Sequence, residues 1–402
     1  MKGKRVLAGA ILSILISGCL IADAVFIKDV KVREGTVAGT CDEAYATVKW
    51  LGVPYAKRAV GEDRFKGPKK AEKFMGVKDC SKPAPANIQF NGRKVLGEEG
   101  ILTLDIYRPD TEERDLPVLV FSHGGNNQYS SSRMWIGDKF ACEADAVYVS
   151  AQYRLGVLGF NNLPALGQGT PYEKSGNYGL LDQAAALDLV KKTIKNFGGD
   201  PQNITVSGFS AGGRDVMAML ISPLFRGKFD KAISFSGGLT VADAEKSRKV
   251  IAAKLAPLAV KDGIKEDVDS AAKWLLTDSD AARNYLMNKK AEDLAPVMAG
   301  AVIRMSSFPH LYGDGALLPK EGFATENYFS VPLMMLTSAD EASSFMARDA
   351  YFKDRLDKIT TDKETRDEFT FANRYGSRFY GYFNGQESAE NIYANYKNDI
   401  YV

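Results

Sequence analysis

The stretch Val206 to Asp215 reads VSGFSAGGRD and contains Gly208-Phe209-Ser210-Ala211-Gly212, a G-x-S-x-G pentapeptide. A serine framed this way sits on a tight turn between a strand and a helix. Its hydroxyl is then exposed above the sheet as a nucleophile. The flanking residues supply that setting, with NITVSGF strand-like before the motif and AGGRDVMAMLIS helix-like after it. The competing reading is a structural serine in a turn. Attack on a carbonyl creates an oxyanion, which needs backbone N–H donors fixed in advance. One is expected from Ala211. The others are expected from His123-Gly124-Gly125, a small-residue loop directly after the apolar run LPVLVFS. A plain Gly-Gly turn is the alternative there, and His123 is expected to pack beneath the loop rather than act as a base. An acid is expected at the end of a later strand, where VPLMMLTSADE ends on Asp340 and Glu341. Asp314, in YGDGALLP, competes for that role, but its flanking glycines favour a turn. The difficulty is the base, because the chain has only two histidines, His123 and His310.

These residues need a scaffold, and from Leu116 onward the chain alternates between two periodicities. LPVLVFS, AVYVSAQYR, NITVSGF, KAISFSGG and VPLMMLTSADE are short apolar runs of strand type. Between them, LLDQAAALDLVKKTIKNF carries Leu187, Val190, Ile194 and Phe197 at helical spacing and is ended by Gly198-Gly199-Asp200-Pro201. Strands separated by helices predict a mostly parallel central sheet covered on both faces, an α/β fold. The earlier segments FIKDVKVREGTVAGT, EAYATVKWLGVPYA and ILTLDIYRP read as antiparallel strands added at one edge. No repeat or linker-like tract interrupts the chain, so residues 25–402 are expected to form one domain. With 45% hydrophobic residues, the 402-residue chain can fill a large core. The formal net charge of +2, with no long run of one sign, gives no nucleic-acid footprint.

The N-terminus reads as a leader. Lys2, Lys4 and Arg5 precede the apolar run VLAGAILSILI, so residues 1–18 are expected to be a signal peptide. Ile16-Ser17-Gly18-Cys19 resembles a bacterial lipobox, which would make Cys19 a lipid attachment point. Ala22-Asp23-Ala24 is the alternative cleavage site. Either places the mature chain outside the cytosol, in a bacterial envelope or beyond it, where disulfides are permitted. Cys41 and Cys80, both in the loop-rich N-terminal third, are the expected pair. Cys142 is expected to be a small buried residue on a helix before a strand. There is no C-x-x-C and no His/Cys cluster, so neither a metal nor another cofactor is expected.

Taken together, the motifs resemble the type-B carboxylesterase and cholinesterase family of the α/β-hydrolase fold. The matching stretches occur in family order between roughly Val30 and Phe345. They are WLGVPYA with Arg64-Phe65 and Pro68, LTLDIYRP, SHGG, YRLGVLGF, NYGLLDQAAAL, NFGGDPQNITVSGFSAGG, FDKAISFSGG and YGDGALLP before LTSADEASSF. The resemblance implies a cofactor-free carboxylic-ester hydrolase acting on a small-molecule ester through an acyl-enzyme. It implies Ser210 as nucleophile and Glu341 as the triad acid, because the family's acid is the second of such an Asp-Glu pair. Gly124, Gly125 and Ala211 match the oxyanion donors, and Arg154, Asn177 and Asp182 fall in motifs read as scaffold. The chain also departs from the family. Phe209 stands where Glu is typical, and Asn126 where a third glycine is common. Gly100 and the stretch Asn87-Ile88-Gln89 occupy the places of the family's early disulfide. No histidine follows Glu341, where the family has its catalytic one. The chain is therefore expected to stop short of the family's final strand, histidine loop and last helix, with its last residues resembling the start of a strand. His310 is either a replacement base or a partly buried loop side chain. The alternative to an esterase is an impaired remnant, or a binding protein on the same fold.

Overall fold

A computed structural model describes residues 26–299, 308–347, 349–379 and 388–396. Its centre is an eight-stranded sheet. In chain order the strands are β1 (Thr40–Asp42), β2 (Thr47–Pro54), β3 (Thr103–Pro109), β4 (Leu116–Ser122), β5 (Val147–Ala151), β6 (Gly199–Phe209), β7 (Lys231–Phe235) and β8 (Leu333–Leu336). Their spatial order is β8-β7-β6-β4-β5-β3-β2-β1. From β5 to β8 every pairing is parallel, and β3, β2 and β1 are added antiparallel at one side. This is the expected mixed, mostly parallel sheet. The β5 residues are buried throughout, as a parallel strand covered on both faces requires.

The helices relevant to the site are α1 (Asp138–Glu143), α2 (Tyr178–Thr193), α3 (Ala211–Leu220), α4 (Ala244–Lys261), α5 (Val268–Leu275), α6 (Lys363–Phe379) and α7 (Ala389–Tyr396). Helix α2 is buried on nearly every side, including the polar Asp182 and Gln183. It continues as a 3₁₀ turn, Ile194–Phe197, and stops at Gly198, which adopts φ 81°. One large apolar cluster runs through the sheet and its covering helices, with Trp50 held edge-on by Phe26 and Phe197. A separate, smaller cluster joins Ala342, Met346, Phe352, Ala372, Ala389 and Ile392 in the C-terminal helices. Among the described residues no helix is long and apolar enough to cross a membrane.

Several expectations are corrected. The first segment does not join the central sheet through its leading strands. Asp29–Val32 and Gly35–Ala38 form a hairpin that Val77–Asp79 extends into a separate three-stranded sheet. Cys41 and Cys80 are not bonded to each other. Cys41 lies on β1, and its thiol faces the Asp110 carboxylate at 3.9 Å. Cys80 follows the small sheet and is buried in the apolar cluster, which pushes its thiol up to about 11. The two thiols thus sit in different surroundings, Cys41 on the central sheet and Cys80 just past the end of the small one. Cys142 does lie on a helix before a strand, but it is exposed. Cys19, the leader over residues 1–18 and the strand-like last residues lie outside the described residues.

Between the Asn87 and Gly100 segments, where the resemblance implies a disulfide that this sequence cannot form, a side chain makes the link. Asn87 Nδ2 donates to the Ile101 carbonyl at 2.6 Å, and the Ile101 N–H donates back to Asn87 Oδ1 at 2.9 Å. Asn87 Nδ2 also lies 3.0 Å from the Tyr153 carbonyl, so one buried carboxamide ties three segments.

Candidate active site

Strand β6 ends at Phe209 and helix α3 begins at Ala211, leaving Ser210 alone in the turn. Ser210 has φ 57° and ψ −115°, a conformation that L-residues rarely adopt. Holding it stores on the order of 1–3 kcal/mol, which the surroundings must over-determine. They do so by hydrogen bonding, since the Ser210 N–H donates to the Phe235 carbonyl at 2.8 Å. They also do so by crowding. A Cβ on Gly212 would lie 2.0 Å from the Ser122 carbonyl oxygen, so only glycine fits where α3 starts against the end of β4.

The loop after β4 meets the same turn. A Cβ on Gly124 would lie 2.8 Å from the Phe209 carbonyl oxygen and 3.2 Å from the Ser210 Cβ. The backbone of Gly124 is therefore packed directly against the serine. Gly125, Asn126 and Asn127 follow with φ of 96°, 56° and 56°. Asparagine is among the few non-glycine residues that tolerate this region, which accounts for Asn126 in place of a third glycine. Among the described residues, the N–H groups of Gly124, Gly125 and Ala211 donate to no protein acceptor. A hydroxyl beside amide donors without acceptors is an arrangement suited to acyl transfer.

The two histidines are committed elsewhere. His123 is buried beneath the loop, with Nδ1 2.9 Å from the Gly124 carbonyl and its ring stacked on Tyr153 at 4.5 Å. Burial pushes its imidazole down to about 4, so the ring is neutral at pH 7. His310 is fully buried, not partly as expected. Its Nε2 accepts from the Arg214 guanidinium at 2.9 Å, its Nδ1 bonds the Phe308 carbonyl at 2.9 Å, and its ring stacks on Phe308. With both nitrogens engaged, it offers Ser210 no acceptor.

Glu341 lies on the segment after β8, two strands from β6 at the same C-terminal end of the sheet. Its Oε1 accepts the Ser338 N–H at 2.8 Å, while the neighbouring Asp340 accepts from Asn373. The fold thus brings Ser210 and Ala211 against Gly124, with Gly125 next in the loop, and carries Glu341 on the segment after a strand two places away. Asp314 closes a turn by accepting three backbone N–H bonds, from Ala316, Leu317 and Leu318. Arg154 and Asp182 form a buried bidentate pair at 2.8 and 2.7 Å, and Asn177 exchanges two hydrogen bonds with the Tyr312 backbone. Next to Ser210 in the chain, half-exposed Phe209 packs on Trp135 at 5.6 Å, and Met134 and Ile136, which flank Trp135, are exposed. Among the described residues no three His, Cys, Asp or Glu side chains gather as metal ligands would.

Beneath the loop lies a polar network that sequence reasoning passed over. Asp215, on α3, is fully buried and accepts from Asn127 and Gln183, each at 2.8 Å. Burial pushes its carboxyl up to about 6 against the pull of those two donors. The only signal in the sequence was a charged pair, Arg214-Asp215, inside an otherwise apolar helix.

The profile of the carboxylesterase family matches residues 27–400. The chain belongs to the carboxylesterase family. It is 32% identical over 330 residues to the para-nitrobenzyl esterase of Bacillus subtilis, covering 80% of this chain and 64% of that protein. It is 34% identical over 307 residues to the liver carboxylesterase of Sus scrofa, covering 71% of this chain and 53% of that protein. The chain thus spans less than two thirds of the length of these relatives. A solved PNB esterase superposes with a TM-score of 0.70 at 27% identity, covering 92% of this chain and 77% of that one. The Geobacillus stearothermophilus carboxylesterase superposes equally well, with a TM-score of 0.70 at 28% identity over 91% and 75% of the two chains. These neighbours share the α/β-hydrolase fold. The comparisons lend no support to a non-catalytic or impaired reading.

Proposed function

We propose that this carboxylesterase hydrolyses carboxylic esters of small molecules with Ser210 as nucleophile. The observation that carries the reading is the strained Ser210 turn with the Gly124 backbone packed against it. In the reaction, the Ser210 Oγ bonds to the acyl carbon as its proton passes to a general base, the carbonyl electron pair moves onto oxygen, and the base returns that proton to the alkoxide as it departs. The N–H groups of Gly124, Gly125 and Ala211 hold that negative charge. Collapse of the intermediate expels the alcohol and leaves an acyl-enzyme, which water hydrolyses. Glu341 is the family's acid by position and would orient the base. Neither His123 nor His310 serves as that base. The apolar face made by Phe209 and Trp135 beside Ser210 favours esters with a hydrophobic group on that side.

The names of the relatives support the reaction class, and that of the para-nitrobenzyl esterase supports esters whose alcohol part carries an aromatic ring as first substrates. The test is hydrolysis of p-nitrophenyl butyrate by the native chain and by Ser210→Ala. The native chain should release nitrophenolate, and the variant should lose nearly all of that rate, since removing the nucleophile of a serine hydrolase lowers kcat by up to about 10⁶. Equal rates in the two proteins would refute the assignment. The basic n-region, the apolar run and Cys19 support an extracytoplasmic, lipid-anchored location. The mass of the mature N-terminus, with or without acyl groups on Cys19, decides that part.

A further inference from the structure

We infer that Asp215 is a positioning residue that clamps both ends of the oxyanion loop onto the helix bearing the nucleophile. The inference rests on the reading of Ser210 and its loop given above. Asp215 lies on α3, five residues after Ser210, so the two share one rigid element. Its Oδ1 accepts from Asn127 Nδ2 at 2.8 Å, which fixes the far end of the loop. Its Oδ2 accepts from Gln183 Nε2 at 2.8 Å, and Gln183 Oε1 in turn accepts from Ser122 Oγ at 2.7 Å. Ser122 is the last residue of β4 and so the near end of the loop. Residues 123–126 are thereby bracketed by two hydrogen-bonded chains that converge on one carboxylate. The Tyr153 hydroxyl closes the arrangement, 2.7 Å from the His123 carbonyl and 3.0 Å from Asn127 Oδ1. The Asn127 carbonyl is held in turn by the Gly156 N–H at 2.7 Å.

Every member is buried: Ser122, Asn127, Tyr153, Gln183 and Asp215. A buried carboxylate is an expensive way to fill space, since an apolar side chain of similar volume packs without desolvation loss. What a carboxylate adds is two acceptors with no proton of its own, matched here to two carboxamide donors. Its nearest charged neighbour along the helix is Arg214, whose guanidinium is engaged with His310. The hydrogen-bond polarity also makes the clamp reciprocal. With aspartate at 127 and asparagine at 215, the amide at 215 donates to the carboxylate at 127 and its carbonyl accepts from Gln183. The second oxygen at 127 still accepts from Tyr153. All bonds survive the exchange, whereas Asp215→Asn alone sets its amide donor against Asn127 Nδ2 or Gln183 Nε2 as those amides stand in the native chain, and relieving the clash requires the network to rearrange.

The experiment measures two quantities on the native chain, on Asp215→Asn and on the double variant Asn127→Asp/Asp215→Asn. One is the rate at which an alkyl fluorophosphonate labels Ser210, read by peptide mass and normalised to folded protein. The other is hydrogen–deuterium exchange in peptides covering residues 122–130. Asp215→Asn should label on the order of 10- to 100-fold more slowly, as expected when oxyanion donors drift from place. Its loop peptides should exchange faster, and the double variant should recover both quantities to within about threefold of the native chain. A single variant with lowered melting temperature but native labelling and native loop exchange would reduce Asp215 to a packing role and overturn the inference. Should Asp215→Asn not fold, the double variant decides: recovery supports the clamp, and failure to recover both readouts overturns it. If the native chain itself takes no label at Ser210, the catalytic reading fails, while loop exchange still tests the clamp independently.

Discussion

At the scale of single residues, G-x-S-x-G was readable because local sterics enforce it. A side chain at Gly212 would strike the Ser122 carbonyl, so the motif and the turn are one constraint. His123 makes a quantitative prediction at this scale. Burial holds its imidazole at about 4 in the folded chain, against an ordinary value of 6.5. The unfolded chain therefore takes up the proton first as pH falls. The stability tied to this ring is complete above about pH 6.5 and is lost as pH drops towards 4, with ~2 kcal/mol gone by pH 5. Asp215 acts in the opposite direction, because its raised carboxyl favours the folded state at low pH. That contribution is common to any pair of proteins that differ only at His123. Urea unfolding of the native chain and of His123→Gln at pH 7 and pH 5 should show a fall in stability smaller by ~2 kcal/mol in the variant. The same fall in both would contradict the burial account. Asp215 was not readable in this way, because its partners lie at positions 127 and 183 and only the fold brings them together.

At the scale of elements, the alternation of apolar runs and helical stripes disclosed β4 to β8 and their parallel order. What it could not disclose was sheet membership among the short N-terminal strands. Asp29–Val32 and Gly35–Ala38 are four residues each, and their pairing is decided by a local hairpin rather than by their own pattern. The expected Cys41–Cys80 bond failed for a related reason: compartment and spacing permit a disulfide, but only the fold sets which thiols meet. The stitch between Asn87 and Ile101 is the counterpart of that error. Asn87→Ala removes three hydrogen bonds and leaves the Ile101 N–H, the Ile101 carbonyl and the Tyr153 carbonyl without that partner. It should destabilise the protein by about 1–3 kcal/mol, read as a lower urea midpoint. A midpoint unchanged from the native chain would show that these segments are held by packing alone.

At the scale of the whole molecule, the sheet places the Ser210 turn, the Gly124 loop and the Glu341 segment at the same end, the C-terminal ends of its parallel strands. That end is where such sheets assemble ligand sites, because the loops converge there while the core stays closed. The far edge differs in character. Leu333, Met334, Met335 and Leu336 of β8 are all exposed, so the strand carrying the chain towards Glu341 is uncovered on both faces among the described residues. The catalytic reading therefore rests on the β4–β6–α3 junction, where Gly124 packs against Ser210 and the Ser210 N–H is held by the Phe235 carbonyl, rather than on the β8 edge. The most direct test of it is to treat the folded chain with an alkyl fluorophosphonate and locate the adduct by peptide mass. The account predicts a single adduct on Ser210 that Ser210→Ala abolishes. A folded chain that carries no adduct, or carries it on another serine, would contradict it.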